Sequence, residues 1–305
     1  MGVGLGMTGR LERWLAFVPR VLDTAGGRIG AGIVTVVMAM TVFAPLVATS
    51  DPFQQDLTAT GIARPPGHAH LLGTDELGRD IFSRILFGGR ISLGVAFASL
   101  GWATVVGVVL GTAAGVTGGS VDHVIMRLTD ALLAFPVLIL AIAVAAAVGR
   151  GVTGLVLAIG SVNVPVFTRL VRAQSLQLKD REFVLAAAAI GASTYRKIVR
   201  YLLPTLMNTL IVQVSVSISF AIIIEAGLSF LGLGVQAPAP SWGLMVATAR
   251  LHMAAAPHMM MAPAAAISVT VLGFNLLGDA FSDALDPRRE RGAPRKLALR
   301  SGDAG

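Results

Sequence analysis

Residues 91–116 of the chain read ISLGVAFASLGWATVVGVVLGTAAGV, a stretch of 26 residues without a charged side chain. A helix rises about 1.5 Å per residue, so roughly 20 such residues cross the hydrocarbon core of a bilayer. Lipid offers the backbone no hydrogen-bond partner, and a helix satisfies its N–H and C=O groups within one segment. The stretch therefore predicts a transmembrane helix.

Five further stretches have the same apolar character and a similar length. They do not alternate between apolar and polar residues, as the strands of an outer-membrane barrel would. With residues 91–116 they predict an all-α integral membrane protein with six transmembrane helices. The other five spans are about residues 29–49, 128–148, 152–171, 206–233 and 259–277.

The composition of the whole chain agrees with a membrane protein. Of the 305 residues, 54% are hydrophobic and 13% are charged, and the mean hydropathy is +0.76. Soluble domains carry about twice that share of charge, so a soluble fold is excluded, and the apolar fraction excludes a disordered chain. The absence of cysteine excludes a disulfide scaffold, thiol catalysis, Cys-ligated zinc and iron–sulfur ligation.

The positions of the basic residues predict the orientation. With the N-terminus inside, 18 of the 24 Lys and Arg residues lie in cytoplasmic segments and 6 lie outside. Cytoplasmic loops carry the excess of Lys and Arg, so both termini are predicted to be cytoplasmic. The same asymmetry accounts for the net charge of +7 without a nucleic-acid partner.

The six spans divide the chain into one membrane domain and two flanking segments. Residues 1–28 are predicted to be a cytoplasmic N-terminal segment, residues 29–285 the six-helix domain, and residues 286–305 a basic cytoplasmic tail. The long connections are predicted to be two outside loops, residues 50–90 and 234–258, and one cytoplasmic loop, residues 172–205.

The cytoplasmic loop is the most informative connection. Its Ala-rich half is a strong helix former, Gly191 is suited to end that helix, and Ser193 or Thr194 to cap a second short one. The second helix would carry an apolar stripe beside basic residues. Such a helix either lies on lipid or docks in a groove of another protein. The stripe is predicted to comprise Tyr195, Ile198, Val199 and Leu202.

The same loop resembles the signature loop of the permeases of ABC importers. That signature reads Glu-Ala-Ala, three residues, Gly, nine residues, Ile-x-Leu-Pro. Two positions depart from it, because Leu185 replaces the Glu and Tyr201 replaces the Ile. The positions in register are Ala186, Ala187, Gly191, Leu203 and Pro204.

Further segments, in the same order along the chain, are similar to the peptide-type branch of these permeases (dipeptide, oligopeptide and nickel permeases). The resemblance covers about residues 29–288 and implies the type I permease fold in its six-helix form. The matching segments are LGTDELGRDIFSR (72–84), GRISL (89–93), MRLTDALLAFP (126–136), EAGLSFLGLGVQ (225–236), PSWG (240–243), NLLGD (275–279) and DALDPR (283–288).

The resemblance implies an ATP-driven importer of di- or oligopeptides in the bacterial cytoplasmic (inner) membrane. This chain would form half of the translocation pathway as a heterodimer with a second, homologous permease. Two cytoplasmic subunits would bind ATP and magnesium, and an extracytoplasmic binding protein would deliver the substrate. The chain has no Gly-x-x-x-x-Gly-Lys-Ser/Thr loop, so it is predicted to be no enzyme and to bind no cofactor itself.

The resemblance and the charge pattern together give the candidate site residues. Asp75, Glu76, Arg79, Asp80 and Trp242 are assigned to an outside gate or binding-protein dock. Glu225 is assigned to the pathway, although an intramembrane carboxylate can equally bond a neighbouring helix. The residues assigned to ATPase coupling are Ala186, Ala187, Gly191, Ala192, Ser193, Tyr195, Arg196, Ile198, Arg200, Leu202 and Pro204.

Two smaller predictions concern charged and metal-binding groups. Arg127 and Asp130 are three residues apart at the start of the third span, which predicts an ion pair on one helix face. His68 and His70 lie in a loop rich in Pro and Gly without a supporting ligand set, so no metal site is predicted.

The residues leave other functions open. The same machine could import nickel, a metal chelate or glutathione, since the permease sequence does not reveal the cargo. A secondary transporter working alone is disfavoured because no repeat or midplane ionisable pair stands out. An enzyme embedded in the membrane is disfavoured because no catalytic constellation is seen.

Overall fold

The computed structural model describes residues 19–58 and 61–285, and all regular structure in these ranges is helical. The predicted basic tail and residues 1–18 of the predicted N-terminal segment lie outside them. The helices are α1 (Ala25–Val42), α2 (Ala44–Val47), α3 (Ile81–Thr117), α4 (Gly119–Leu133), α5 (Val137–Val148), α6 (Val152–Lys179), α7 (Glu182–Ala189), α8 (Thr194–Lys197), α9 (Leu203–Phe230), α10 (Trp242–Ala249) and α11 (His258–Leu285).

Five helical segments in the described part are long and apolar enough to cross a membrane. They are α1, α3, α6, α11 and a continuous segment, Thr194–Phe230, in which a π-helical turn joins α8 to α9. The pair α4 and α5 makes a sixth span if counted as one, although the two helices meet at 99°. The predicted all-α membrane fold is therefore confirmed.

The third predicted span is broken rather than continuous. The sequence predicted one helix over residues 128–148, whereas α4 ends at Leu133 and α5 begins at Val137. Pro136 explains the break, because proline has no N–H to donate and pushes the residue before it out of the helical region. Only the 12 residues of α5 keep the uniformly apolar character of a span.

The helix α3 begins at Ile81, ten residues before the predicted start of the second span at residue 91. The Asp80 side chain accepts a hydrogen bond from the backbone N–H of Ser83, which caps the helix at Ile81. Arg84 and Arg90 therefore lie on α3 rather than in a loop. The helix spans 37 residues, about 55 Å at 1.5 Å per residue.

Close packing of α3 on α6 forms the centre of the bundle. A Cβ atom added to Gly107 would lie 2.4 Å from Cβ of Phe167, and one added to Gly115 would lie 2.5 Å from Cβ of Ser175. The contacts advance in the same direction along both helices, so α3 and α6 run parallel. Small residues at four-residue spacing allow two membrane helices to approach this closely.

The helices α1 and α11 pack in the same way but run antiparallel. A Cβ added to Gly30 would lie 2.7 Å from the backbone nitrogen of Leu277, and one added to Gly273 would lie 2.6 Å from Cγ2 of Ile33. On its other side α11 contacts α9, where the Ser219 hydroxyl donates to the carbonyl of Val271 at 3.2 Å.

This packing gives the bundle two distinct ends. Residues 180–202, here named the connecting loop, join α6 to α9 at one end, next to the last turn of α3. Residues 49–80 and 231–257 lie at the other end, named the far end, around the first turns of α3 and the last turns of α9. The candidate site residues divide between these two ends, except Glu225, which lies within α9 close to the far end.

Candidate functional sites at the two ends of the bundle

The connecting loop folds as two short helices around a glycine turn. Gly191 has φ +77°, a conformation that side chains other than glycine disfavour, and the N–H of Ala192 donates to the carbonyl of Ala187 at 2.9 Å. This Schellman arrangement ends α7. The Ser193 hydroxyl then accepts from the N–H of Arg196 at 3.3 Å and caps α8. The turn presents the second helix at a fixed angle to the first.

A contact between two aromatic rings joins the first helix of the connecting loop to the π-helical turn at its end. The rings of Phe183 on α7 and Tyr201 in the π-helical turn lie 6.4 Å apart. The aliphatic side chain usual at position 201 in the signature has no ring to make this contact. The π turn covers Ile198–Leu202 and leads directly into α9, with Pro204 near its first position.

The apolar stripe predicted on this loop divides into an inner and an outer part. Leu202 is buried in the subunit and Ile198 packs against the same core, whereas Tyr195 is 76% exposed. The most exposed apolar residue of the connecting loop, Ile190 at 82%, was not predicted, although it directly precedes the turn glycine. We name as the loop surface the exposed apolar side chains of Phe183, Leu185, Ile190, Tyr195 and Val199.

The other predicted loop residues lie close to this surface. Arg196 and Arg200 are exposed, as is Ala186, whereas Ala187 faces the subunit interior. The loop therefore carries an exposed apolar surface with basic side chains beside it. An apolar helix surface flanked by basic side chains is suited to bind in a groove on another protein.

At the far end, the carboxylate of Asp75 holds two arginines that are almost completely buried. It accepts from Nε of Arg79 at 2.7 Å, and Nε of Arg84 lies 3.2 Å away. Arg79 also donates to Glu76 at 2.9 Å, and Nη1 of Arg84 donates to the carbonyl of Pro52 at 3.0 Å. The predicted dock residues Asp75 and Arg79 thus form an internal framework, and Glu76 is their more exposed member.

The carboxylate of Asp80 is a second organising group at the far end. It accepts from the backbone and hydroxyl of Ser83 and from the hydroxyl of Thr49, and Nδ1 of His70 lies 2.9 Å from Oδ1. Burial alone would raise the pKa of Asp80, but the hydrogen bonds from Ser83, His70 and Thr49 hold it below its ordinary value. Asp80 thereby fixes the 49–80 segment onto the start of α3.

We expect Asp80→Ala to lower the free energy of unfolding by about 1–3 kcal/mol at neutral pH, since it removes a helix cap and the hydrogen bonds to it. The folded-state pKa is depressed, so this contribution is complete above the unfolded pKa of about 3.9 and is lost as pH falls through the lower folded value. Thermal unfolding in detergent at pH 7 and at pH values below 4 would test this.

The matched control is Asp51→Ala, which removes an exposed carboxylate of the same segment that accepts a hydrogen bond from the backbone N–H of Phe53 at 2.8 Å. We expect Asp51→Ala to change the unfolding temperature much less at pH 7. A stability gap between Asp80→Ala and the unmodified protein that stays constant down to pH 3 would contradict this account of Asp80.

Trp242 and Glu225 join three helices just inside the far end. The indole N–H of Trp242 donates to the carbonyl of Ile85 at 2.9 Å, and its backbone N–H donates to the Ser92 hydroxyl. Ser92 in turn donates to Glu225 at 3.0 Å, and Ser229 donates to the same carboxyl group at 2.8 Å. Glu225 has no exposed surface in the subunit, and its hydrogen bond with Ser92 links α9 to α3.

The charged pair predicted on α4 is replaced by pairs between helices. Asp130 lies 2.5 Å from Nη2 of Arg169 on α6 rather than bonding Arg127, and Asp122 receives two hydrogen bonds from Arg172, at 2.5 and 2.6 Å. The short-range spacing rule missed these partners because they are 39 and 50 residues away.

Among the described residues no group of three or more His, Cys, Asp or Glu is placed to hold a metal ion.

Comparison with known proteins identifies the family. Residues 107–291, more than half of the chain, match the family described as "Binding-protein-dependent transport system inner membrane component". The chain belongs to this family. It is therefore a multi-pass membrane component of a transport system, as its motifs predicted, and it works with a substrate-binding protein and partner subunits. A transporter that works alone does not agree with this assignment.

Relatives of known name match most of the permease. It is 40% identical over 260 residues to the dipeptide transport system permease protein of Alkalihalophilus pseudofirmus, with 85% of each chain covered. It is 47% identical over 223 residues to the glutathione transport system permease protein of Pectobacterium atrosepticum, covering 73% of this chain and 74% of the relative. It is 42% identical over 258 residues to the probable D,D-dipeptide transport system permease protein of Escherichia coli, covering 85% and 86%.

Proposed function

We propose that this permease forms half of the translocation pathway of an ATP-driven importer of di- or oligopeptides in a bacterial cytoplasmic membrane. It pairs with a second, homologous permease, and a binding protein outside the cell delivers the substrate. The observation that carries this proposal is the sequence identity of 40–47% to dipeptide and glutathione permeases over most of the chain. Both termini and the connecting loop lie in the cytoplasm, in agreement with the distribution of Lys and Arg.

The connecting loop binds a cytoplasmic ATPase, and two copies of that subunit bind ATP and magnesium for the whole complex. Support comes from the exposed loop surface, where Ile190 and Tyr195 are more than three-quarters exposed and flanked by Arg196 and Arg200. We assign different roles to the predicted coupling residues, in agreement with their conformation and burial. Gly191 and Ser193 set the angle between the two helices, whereas Ile198 and Leu202 anchor the loop to the bundle.

The far end serves as the outside gate and as the surface that receives the binding protein. Support comes from the two buried networks around Asp75 and Asp80, which stiffen the segment that leads into α3. Trp242 anchors α10 to α3, and Glu225 holds α9 to the same helix through Ser92. These residues shape the gate, and direct contacts with the binding protein fall to their exposed neighbours, such as Glu76.

Glutathione is a second candidate substrate, because glutathione permeases of enterobacteria are 42–47% identical to this chain. Glutathione is itself a modified tripeptide, so both candidates belong to the same chemical class.

Reconstitution of the complete complex in liposomes tests the proposed function. Radiolabelled dialanine, trialanine and glutathione are offered outside with the purified binding protein, and ATP is enclosed. We expect uptake of at least one peptide that requires both ATP and the binding protein. Uptake driven by an ion gradient without ATP, or uptake unaffected by omitting the binding protein, would contradict the proposal.

A further inference from the structure

Two ion pairs join α4 to α6. The pair of Asp122 with Arg172 is bidentate and partly buried, and the pair of Asp130 with Arg169 is about half exposed. Bidentate arginine–carboxylate pairs fix relative orientation as well as distance. The two pairs therefore hold α4 against α6 at two points along its length.

One proline lies inside α6 and another follows the end of α4, and both ion pairs lie on the connecting-loop side of these two prolines. Pro165 lies inside α6 and cannot donate to the carbonyl of Ser161, which weakens the helix at that turn. Arg169 and Arg172 follow it, on the part of α6 that leads into the connecting loop. Asp122 and Asp130 likewise precede the break at Pro136, with α5 on the far side of that break.

Few side chains of α4 are fully buried in the subunit. Thr129 is its only buried residue, and its apolar side chains at Val124 and Leu128 are exposed by 59% and 63%. Polar side chains that bond across two helices help to fix the position of such a helix in a membrane protein. The two ion pairs are contacts of this kind. The aspartates lie on α4, which ends shortly before Pro136, and the arginines lie on the part of α6 that follows Pro165.

We propose that these two ion pairs are positioning contacts that make α4 and the segment of α6 after Pro165 move as one body with the connecting loop. When the loop is displaced, the ion pairs carry α4 with it, and the displacement reaches α5 through the break at Pro136. Arg169, Arg172, Asp122 and Asp130 thus act on the pathway through other residues and touch no substrate. The inference rests on the proposed function, because it assumes that the loop is displaced by an ATPase.

The test uses the whole reconstituted complex and compares three variants. Asp122→Asn/Asp130→Asn removes both ion pairs with almost no change in side-chain size. Asp122→Arg/Arg172→Asp reverses the stronger pair. Arg127→Gln is the matched control, because it removes an exposed charge from α4 that belongs to neither pair. The readouts are the yield of assembled complex, the rate of ATP hydrolysis and the rate of peptide uptake.

We expect the double Asn variant to assemble and hydrolyse ATP as the unmodified complex does but to take up peptide about five-fold more slowly or worse. More ATP would then be consumed per peptide. The reversed pair should recover a substantial part of the uptake, and Arg127→Gln should not alter it. A purely structural role would instead lower assembly, hydrolysis and uptake together.

Uptake by the double Asn variant equal to that of the control, or a parallel fall of all three readouts, would overturn the inference while leaving the importer intact. Failure of the unmodified complex to import any peptide would overturn the proposed function itself and the inference with it. The two failures are therefore distinguished by the unmodified complex alone.

Discussion

Replacing Gly111 with leucine should prevent the permease from accumulating in a folded form, and replacing it with alanine should destabilise it by about 1–3 kcal/mol. A Cβ atom at this position would lie 2.5 Å from the carbonyl oxygen of Thr168 and 3.0 Å from the backbone nitrogen of Arg172. Backbone atoms cannot rotate aside as a flexible side chain can. The helices α3 and α6 would have to separate along the contact on which the bundle is centred.

Gly101 provides the matched control on the same helix. No atom lies within 4 Å of a Cβ built there, so Gly101→Ala should be neutral or slightly stabilising because alanine favours the helix. Thermal unfolding of detergent-purified protein, together with the yield of monodisperse material, measures the difference. Equal stability of Gly111→Ala and Gly101→Ala would contradict the close packing of α3 on α6.

Combining Ile190→Asp with Tyr195→Ala should abolish association with the ATPase while leaving the permease folded. Both side chains are more than three-quarters exposed, so their loss removes little contact within the subunit. Anchors at the centre of a protein interface commonly contribute about 2 kcal/mol or more each, and the two together would weaken binding by at least about a hundred-fold. Co-purification with the ATPase and thermal unfolding of the permease measure the two effects separately.

Leu251→Asp is the matched control for this pair. Leu251 is 79% exposed but lies at the far end, and its replacement should leave ATPase association unchanged. Retention of the ATPase by the Ile190→Asp/Tyr195→Ala variant at the level of the control would show that the loop surface is not the contact. A lower unfolding temperature of that variant would show instead that Ile190 and Tyr195 stabilise the permease itself.

The membrane fold could be predicted from the sequence because it depends on long apolar runs. The stretch at residues 91–116 lies inside α3, and residues 152–171 lie inside α6. The ends of the helices were less predictable. The helix α3 begins at a cap formed by Asp80, and its first ten residues include two arginines that the sequence analysis placed in a loop. The third span was predicted as continuous because hydropathy does not register the backbone effect of Pro136.

The local turn of the connecting loop could be predicted from the sequence, whereas the contacts made by the candidate site residues could not. The loop turn follows from local rules, and Gly191 and Ser193 have the conformation and the cap expected of their residue types. Which apolar side chains point outward depends on how the loop rests on the bundle, so Ile190 was missed, and Leu202, which was assigned to ATPase coupling, is buried in the subunit. Long-range partners, such as Arg169 for Asp130, are likewise fixed by helix packing and not by spacing along the chain.

Gentle purification of a tagged copy from its native membrane tests the central claim most directly. Identification of the co-purifying chains by mass spectrometry should yield a second permease and an ATP-binding subunit, and purified material should hydrolyse ATP. Recovery of this chain alone under several mild detergents, with no ATP-binding subunit in any of them, would contradict the assignment of the connecting loop as an ATPase contact and the importer built on it.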